Sequence, residues 1–342
     1  MQKKLARLKK NSKKEVDYVF FSYIILLLIF GLIMLTSASS VIAYDKFGDH
    51  YFFVKRQFFY GVFPGFIGLL FFSRLPYPWL KKIGNWSFIG ALALLLLVLI
   101  PGIGQTLNTG ARSWIGVGGF TVQPAEIAKF GLVCFLAFIL SRVGKDGLDS
   151  HEAFFKILGY GLIPVGLVIL QPDIGTASIL FATLFVVLFA ARARVMHLLT
   201  VAFAALVAFA GLIIVAPYRA ARFTTFLHPE LDPQGIGYHI NQAYLAIGSG
   251  GWFGYGLGHS RQKFQYLPEV HADSIFAVIS EELGFLLASL LIVFLIVIAI
   301  RGLKIAKHVP DSYGYFLVVG FISWFMIQSF FNIAAMLGLM PI

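Results

Sequence analysis

The sequence predicts an all-α protein that crosses a membrane several times. Hydrophobic residues make up 59% of its 342 residues and charged residues only 13%, a balance that a water-soluble fold could not solvate. Apolar runs near the roughly 20 residues needed to cross a bilayer recur along the chain. Backbone polar groups in lipid must be satisfied within their own segment, so these runs are expected to be helices. The sequence lacks the short alternating segments of a transmembrane barrel.

The apolar runs account for about nine transmembrane helices. The run at 157–191 is long enough to cross twice, with a break at 171–173, and the run at 58–72 is short. The predicted segments are 18–43, 58–72, 83–100, 122–140, 157–191, 198–216, 274–300 and 313–337.

The basic residues predict the orientation. With the N-terminus in the cytoplasm, 18 of the 27 Lys and Arg residues fall inside and 8 outside, while Lys129 lies within a helix. This asymmetry follows the positive-inside rule. The net charge of +11 then reflects topology and attraction to anionic membrane lipid, so nucleic acid is not an expected partner. The first apolar run is too long for a signal peptide, so residues 1–16 are expected to be a cytoplasmic N-terminus.

The chain is expected to form one transmembrane domain, 1–342, with two distinctive outer loops. Residues 101–120 form a polar, Gly-rich loop, and residues 217–272 form a large extracytoplasmic loop before the eighth helix. Loops of that length are usually functional or disordered. Aromatic residues throughout the second loop argue against disorder, so short helices on the outer membrane face are expected. The single Cys134 cannot form an intrachain disulfide, and no Cys/His metal spacing occurs.

The segment 246–284 concentrates polar chemistry beside an apolar helix. Asp273 falls at the first turn of the eighth predicted helix, near Lys263, Glu269 and His271. A carboxylate there could simply cap the helix N-terminus, which favours negative charge. An ionised, outward-facing carboxylate in such a cluster could equally act as a general base.

Two further features of this segment have structural interpretations. The glycines of 254–258 resemble a phosphate-binding loop, but no strand precedes them, so flexible loop glycines are expected. Glu281 and Glu282 lie roughly 12 Å deeper along the helix than Asp273. We expect them to serve packing and hydrogen bonding.

Polar residues elsewhere leave two interpretations open. Glu126 and Lys129 share one helix face, and a lone charge at mid-membrane costs about 2.5–3.5 kcal/mol. They are either a structural ion pair or a site at which Lys129 meets an anionic group in an outer cavity. Trp114 and Arg112 are either interface anchors or contacts to a sugar or phosphate. Asp173 lies in a helix break, which membranes tolerate where it lines a cavity.

Five motifs, taken together and in order, resemble the SEDS family, which includes FtsW, RodA and SpoVE. They are GARSWI at 110–115, QPAEIAK at 123–129, QPDIGTA at 171–177, AIGSGGWFG at 246–254 and YLPEVHADSIFAVISEELG at 266–284. The resemblance implies ten transmembrane helices with both termini cytoplasmic. We expect about nine of the ten helices in this sequence and expect the last loop and helix of the family pattern to be absent from it.

The resemblance also implies an activity. Family members are peptidoglycan glycosyltransferases that polymerise lipid II on the outer face of the bacterial cytoplasmic membrane. The family's catalytic Asp falls on Asp273, and its conserved Trp, Glu and Lys fall on Trp114, Glu126 and Lys129. Class B penicillin-binding transpeptidases are the implied partners. The spacing of GLGHSRQKFQYLPE favours the FtsW branch, and thus septal synthesis with other divisome proteins. Here Ser113 precedes the Trp, where the family commonly has Arg.

The site hypothesis assigns Asp273 as the general base that deprotonates an acceptor hydroxyl. A divalent cation, Mg²⁺ or Mn²⁺, could bridge the pyrophosphate and an Asp. The predicted substrate-binding residues are Arg112, Trp114, Glu126, Lys129, Asp173, Arg222, Lys263, Glu269 and His271. The alternatives are a flippase for lipid II or another polyprenyl-linked lipid, which would need a polar path through the bilayer, and a non-catalytic scaffold for a transpeptidase.

Overall fold

The protein was examined as a computed structural model that describes residues 16–106, 111–117, 120–143, 148, 150–215, 217–232, 235–264 and 266–341. Its helices, numbered here in chain order, are α1 (Tyr18–Phe47), α2 (Phe52–Gln57), α3 (Phe63–Arg74), α4 (Pro78–Leu99), α5 (Pro124–Val143), α6 (His151–Leu170), α7 (Ile174–Ala190), α8 (Val195–Val215), α9 (Pro217–Leu227), α10 (Ile236–Ser249), α11 (Ile275–His308) and α12 (Ser312–Met336). A π-helical stretch, Phe58–Val62, joins α2 to α3, and a 3-10 turn, Pro229–Leu231, follows α9.

The all-α polytopic membrane fold is confirmed. Seven helices in the described part of the chain, α1, α4, α5, α6, α8, α11 and α12, are long and apolar enough to span a bilayer. The shorter α7 is also apolar, and the stretch from α2 to α3 is helical throughout. Each of the nine predicted crossings therefore has a helical counterpart.

The predicted break in the 157–191 run is confirmed, and its cause is local. Helix α6 ends at Leu170, and Pro172, which has no backbone N–H to donate, follows two residues later. The Asp173 carboxylate then accepts a hydrogen bond from the backbone N–H of Thr176 at 3.0 Å. A side-chain oxygen that satisfies a free N–H of the first turn starts a new helix.

The first outer loop contains a small sheet that the sequence did not predict. Strands β1 (Gly104–Gln105), β2 (Trp114–Val117) and β3 (Phe120–Val122) pair antiparallel in the order β1-β2-β3. Gln105 faces Trp114, and Ile115 faces Val122. The predicted helix start at 122 is therefore wrong by two residues. Pro124 begins α5, where its fixed φ and missing N–H suit the first turn.

The two largest buried clusters among the described residues each join several helices. The larger cluster fills the space between α4, α5, α6 and α7, and Leu95, Leu132 and Leu184 are fully buried in it. The second joins α10 and α11 to α1 and α12 through small residues such as Ala38 and Ala277. The second cluster supports the end of α11 that follows Asp273.

Part of the large outer loop inserts beside α11. Helix α10 packs along α11. Beyond it, the backbone N–H groups of Tyr255 and Gly256 donate to the carbonyl oxygens of Glu281 and Glu282 at 3.0 and 2.9 Å. Glu282 lies seven residues past the start of α11, about 10 Å along the helix. Residues 255 and 256 of the loop therefore pack beside α11, about two turns beyond its start.

This insertion depends on a break in α11 at Gly284, where φ is 75° and ψ is 177°. The backbones touch here: a Cβ on Gly254 would lie 2.2 Å from the Glu282 carbonyl oxygen, and one on Gly284 would lie 2.3 Å from the Gly254 nitrogen. Glycine is required where backbones approach this closely or adopt positive φ. The interpretation of Gly254 as a merely flexible loop residue is therefore wrong.

Candidate active site

Asp273 lies immediately before α11, whose N-cap residue is Ser274. The Asp273 side chain is exposed. Among the residues that the structure describes, none hydrogen-bonds to its carboxylate. The alternative that Asp273 merely caps the helix is thus not what the structure shows. Both carboxylate oxygens are available to a ligand.

The surroundings of Asp273 make its carboxylate more basic. Desolvation by the surrounding protein raises the pKa of Asp273, and the neighbouring Glu269 charge raises it further, while His239 and His271 act in the opposite direction. A carboxylate with a raised pKa is a stronger base and accepts a proton more readily.

Glu269 and His271 lie beside Asp273, as predicted. The Nε2 atom of His271 lies 3.5 Å from Glu269 Oε2, and the imidazole stacks on Phe53 of α2 at 4.1 Å between ring centroids. Burial lowers the pKa of His271. Lys46 and Arg56 also act electrostatically on this ring, so the junction of α1 and α2 brings two unpredicted cations to the site.

His239 of α10 is a site neighbour that was not predicted from the sequence. Its Nε2 lies 2.7 Å from the Ser274 hydroxyl oxygen, and that hydroxyl donates to the Pro268 carbonyl at 2.7 Å. Burial lowers the pKa of His239, and the nearby Asp273 and Glu269 charges partly offset this. His239 precedes Asp273 by 34 positions, so no sequence spacing signals the contact.

Lys129 lies in a second cluster, on α5 and α12. Its ammonium donates to Glu126 Oε1 at 2.7 Å and to Gln328 Oε1 at 2.8 Å, and it lies 5.3 Å from the Trp324 ring centroid. Lys129 is 2% exposed. Of the two interpretations, this burial agrees with the structural ion pair. The Gln328 and Trp324 contacts were not predicted, because only tertiary packing brings α12 to α5.

A cavity of about 490 Å³ opens beside this ion pair. It is lined by Glu126, Phe321, Trp324, Phe325, Gln328, Ser329 and Asn332. The Glu126 side chain is 45% exposed and the Lys129 side chain only 1%. The group that faces the cavity is therefore the carboxylate of Glu126, not the ammonium of Lys129 as the sequence analysis proposed.

Asp173 has a structural role near the cluster that contains Glu126 and Lys129. Besides capping α7, its carboxylate accepts hydrogen bonds from Thr176 Oγ1 at 2.8 Å and Gln123 Nε2 at 3.3 Å. It also interacts electrostatically with Lys129. Across the described ranges, no group of three or more His, Cys, Asp or Glu residues is arranged to hold a metal ion.

Lys263 does not point into the Asp273 site. It is 3% exposed, and its ammonium pairs with Glu282 at 2.9 Å and donates to the Gly258 carbonyl at 2.7 Å. Glu282 also accepts from the Ser37 hydroxyl of α1 at 2.6 Å. An ammonium enclosed in this way cannot contact a substrate in the present conformation. Lys263 is therefore a structural cation here, a correction to its predicted role.

Glu281 completes this buried network. Its carboxylate accepts hydrogen bonds from the Ser260 hydroxyl and from the backbone N–H of Arg261, the latter at 2.8 Å. Glu281 and Glu282 are 1% and 0% exposed. The expectation that both serve packing and hydrogen bonding agrees with these contacts.

The remaining predicted contacts lie apart from Asp273. Arg112 is exposed just before β2, and Trp114 is half-buried in that strand. Arg222 is exposed on α9. Among the described side chains, none of the three contacts the Asp273 cluster, so their roles as substrate contacts stay predictions.

Comparison with known proteins decides the family. The family model for FtsW, RodA and SpoVE, described as "Cell cycle protein", matches residues 17–342. The chain belongs to the FtsW/RodA/SpoVE family. It is 42% identical to stage V sporulation protein E of Bacillus subtilis, over 97% of this chain and 90% of that protein. It is 37% identical to a probable peptidoglycan glycosyltransferase FtsW of Geobacter sp., over 95% and 88%.

Solved structures of family members share the fold. One chain, from a peptidoglycan synthase complex described as coordinating polymerization and crosslinking, matches with a TM-score of 0.77 at 26% identity, covering 95% of this chain and 88% of that one. The rod shape determining protein RodA of Thermus thermophilus matches with a TM-score of 0.67 at 25% identity, covering 95% and 86%.

Proposed function

We propose that this protein is a peptidoglycan glycosyltransferase that polymerises lipid II on the outer face of the bacterial cytoplasmic membrane, with its N-terminus in the cytoplasm and Asp273 as general base. Relatives named probable peptidoglycan glycosyltransferase FtsW support the reaction class. The observation that carries the residue assignment is an exposed carboxylate with no hydrogen-bond partner among the described residues, whose surroundings raise its pKa.

The proposed step joins two sugars. The Asp273 carboxylate accepts the proton of the acceptor's 4-hydroxyl while that oxygen attacks the anomeric carbon of the donor. The new glycosidic C–O bond forms as the bond to the polyprenyl pyrophosphate breaks, and the pyrophosphate leaves with the electron pair. A positioned base typically contributes a factor of about 10²–10⁴. One carboxylate suffices because pyrophosphate needs no protonation, unlike the leaving groups in glycoside hydrolysis.

The leaving pyrophosphate needs positive charge, which stabilises it in a partly dry site. Lys46 and Arg56, at the junction of α1 and α2, act electrostatically on His271 of this cluster and are the proposed source of that charge. Arg112 and Arg222 are exposed and remain candidates for contacts farther along the substrate. Glu126, at the edge of its cavity, is a candidate acceptor for substrate hydroxyl or amide groups.

A divalent cation fits this site only when it binds together with the pyrophosphate of the substrate. Mg²⁺ is commonly held by one or two carboxylates together with phosphate oxygens. Asp273 offers two free oxygens, whereas the Asp173 carboxylate is occupied by Gln123 and Thr176. Mg²⁺ or Mn²⁺ would supply charge neutralisation of the pyrophosphate, and Asp273 rather than Asp173 would contact it.

We further propose that the protein works in septal wall synthesis with a class B penicillin-binding transpeptidase and other divisome proteins. A structural relative belongs to a synthase complex whose described functions are polymerization and crosslinking. Several relatives carry the name FtsW. Depletion of the protein in its host should then block division, whereas loss of cell width control would assign it to side-wall synthesis.

The direct test is polymerisation of purified lipid II by the detergent-solubilised protein with its transpeptidase, comparing wild type with Asp273→Asn. Wild type should make glycan strands and the variant none, because an amide cannot accept the proton. Glu230→Gln is the matched control, since Glu230 is exposed in the same large loop and should leave the yield unchanged. Full activity of a well-folded Asp273→Asn protein would remove Asp273 as base.

The same preparations test the flippase alternative. If neither wild type nor variant polymerises lipid II, a translocation assay in proteoliposomes with fluorescent lipid II follows. Translocation by wild type would replace the glycosyltransferase proposal. Absence of both activities, with retained binding of the transpeptidase, would favour the scaffold.

A further inference from the structure

We propose that His239 is a positioning residue for Asp273. A chain of two hydrogen bonds runs from the imidazole of His239 through the Ser274 hydroxyl to the Pro268 carbonyl. It ties α10 to the first turn of α11, directly beside the carboxylate. This inference rests on the proposed function, because it assigns His239 to the same reaction.

The direction of these hydrogen bonds fixes the state of the imidazole. The Pro268 carbonyl can only accept, so the single hydroxyl proton of Ser274 is donated to it. The Ser274 oxygen then accepts, and His239 must carry a proton on Nε2. In the neutral imidazole, this leaves Nδ1 as a bare acceptor. Among the described residues none hydrogen-bonds to Nδ1.

The backbone around Ser274 shows why such a tie is useful. Glu269 has a positive φ of 49°, a conformation that non-glycine residues adopt at a cost in free energy. Its carbonyl accepts from the N–H groups of Ala272 and Ser274, at 2.9 and 3.3 Å. The turn that carries Asp273 is therefore closed by few bonds. The His239–Ser274–Pro268 hydrogen bonds add a side-chain connection between the two ends of this turn and α10.

The charge of the His239 imidazole also affects the basicity of the Asp273 carboxylate. Asp273 and Glu269 act on His239 electrostatically, His271 acts on Asp273, and Lys46 and Arg56 act on His271. A neutral His239 leaves the Asp273 carboxylate a strong base. A protonated His239 would stabilise the carboxylate and weaken it as a base. Removing the imidazole should therefore change the pH dependence of the rate as well as its size.

The test compares His239→Leu and His239→Gln with wild type in lipid II polymerisation, by kcat and KM across pH. His239→Leu removes the donor and should lower kcat about tenfold to a hundredfold, the loss expected from a small displacement of a catalytic group. KM should change little. His239→Gln keeps a side-chain N–H donor, should recover most of the lost rate, and should show an altered acidic limb. His228→Leu, an exposed histidine paired with Glu230, is the matched control.

A double-mutant cycle with Ser274→Ala separates positioning from general damage to the fold. The two changes break the same chain, so their effects on kcat should be strongly non-additive. Wild-type rate and pH profile in a folded His239→Leu protein, or additive effects, would overturn the proposal. This failure differs from failure of the proposed function, in which wild type itself would not polymerise lipid II.

Discussion

Removal of Lys263 should destabilise the protein strongly, although Lys263 lies away from Asp273. Lys263→Met leaves the Glu282 carboxylate, which is fully buried, without its cation at 2.9 Å. Breaking a buried pair from one side costs about 3–5 kcal/mol. Glu282 keeps hydrogen bonds from the Ser37 hydroxyl and the Ser260 N–H. We therefore expect a loss near the lower figure, about 3 kcal/mol in the free energy of unfolding.

The assay is SDS-induced unfolding in mixed micelles, followed by circular dichroism. The exposed pair Lys55–Asp49, 2.8 Å apart, supplies the matched control, and Lys55→Met should leave the stability nearly unchanged because exposed ion pairs contribute little. Adding Glu282→Gln to Lys263→Met removes the stranded charge and should restore at least half of the loss. A loss in Lys263→Met no larger than in Lys55→Met, or no recovery in the double variant, would refute this reasoning.

Three further predictions follow from the same contacts. Asp273→Asn should not lower the stability at neutral pH, as measured by thermal unfolding. The pKa of Asp273 in the folded state lies above 3.8, so protonation of Asp273 stabilises the wild-type fold fully below pH 3.8, and this stabilisation is lost as the pH rises through the folded-state pKa. The variant's pH profile should lack this contribution. Gly284→Ala should destabilise the protein or prevent folding, because the φ of Gly284 is 75° and an added Cβ would meet backbone atoms. The control Gly248→Ala in α10 has open space around the added Cβ and should be neutral or stabilising by about 0.4–1 kcal/mol. Gln328→Leu removes a hydrogen-bond acceptor from the buried Lys129 ammonium and should lower the free energy of unfolding in SDS by about 1.5–3 kcal/mol. A loss below about 0.5 kcal/mol, the scale of ordinary surface substitutions, would show that this hydrogen bond is unimportant.

The helices were predictable because hydrophobic run length is a local property. The break at Asp173 was predictable for the same reason, since a Pro next to a potential N-cap interrupts any helix. The break at Gly284 was not predictable. Only the approach of Gly254, 30 positions earlier, shows why glycine is required there.

The site was predictable in part for similar reasons. Asp273, Glu269 and His271 are neighbours in the chain, so their proximity follows from sequence. His239 joins them only because α10 packs along α11. Lys263 has the charge expected of a substrate contact, and nothing local distinguishes it from one. Its burial against Glu282 and Ser37 depends on the path of the inserted loop.

The central claim is that an ionised Asp273 accepts the acceptor's proton. The most direct measurement is the pH dependence of kcat/KM for lipid II polymerisation by wild type and Asp273→Asn. We predict that log kcat/KM of wild type falls with unit slope toward acid around a pKa above 3.8, and that the variant has no measurable rate at any pH. A variant that retains the wild-type rate and acidic limb would contradict the account.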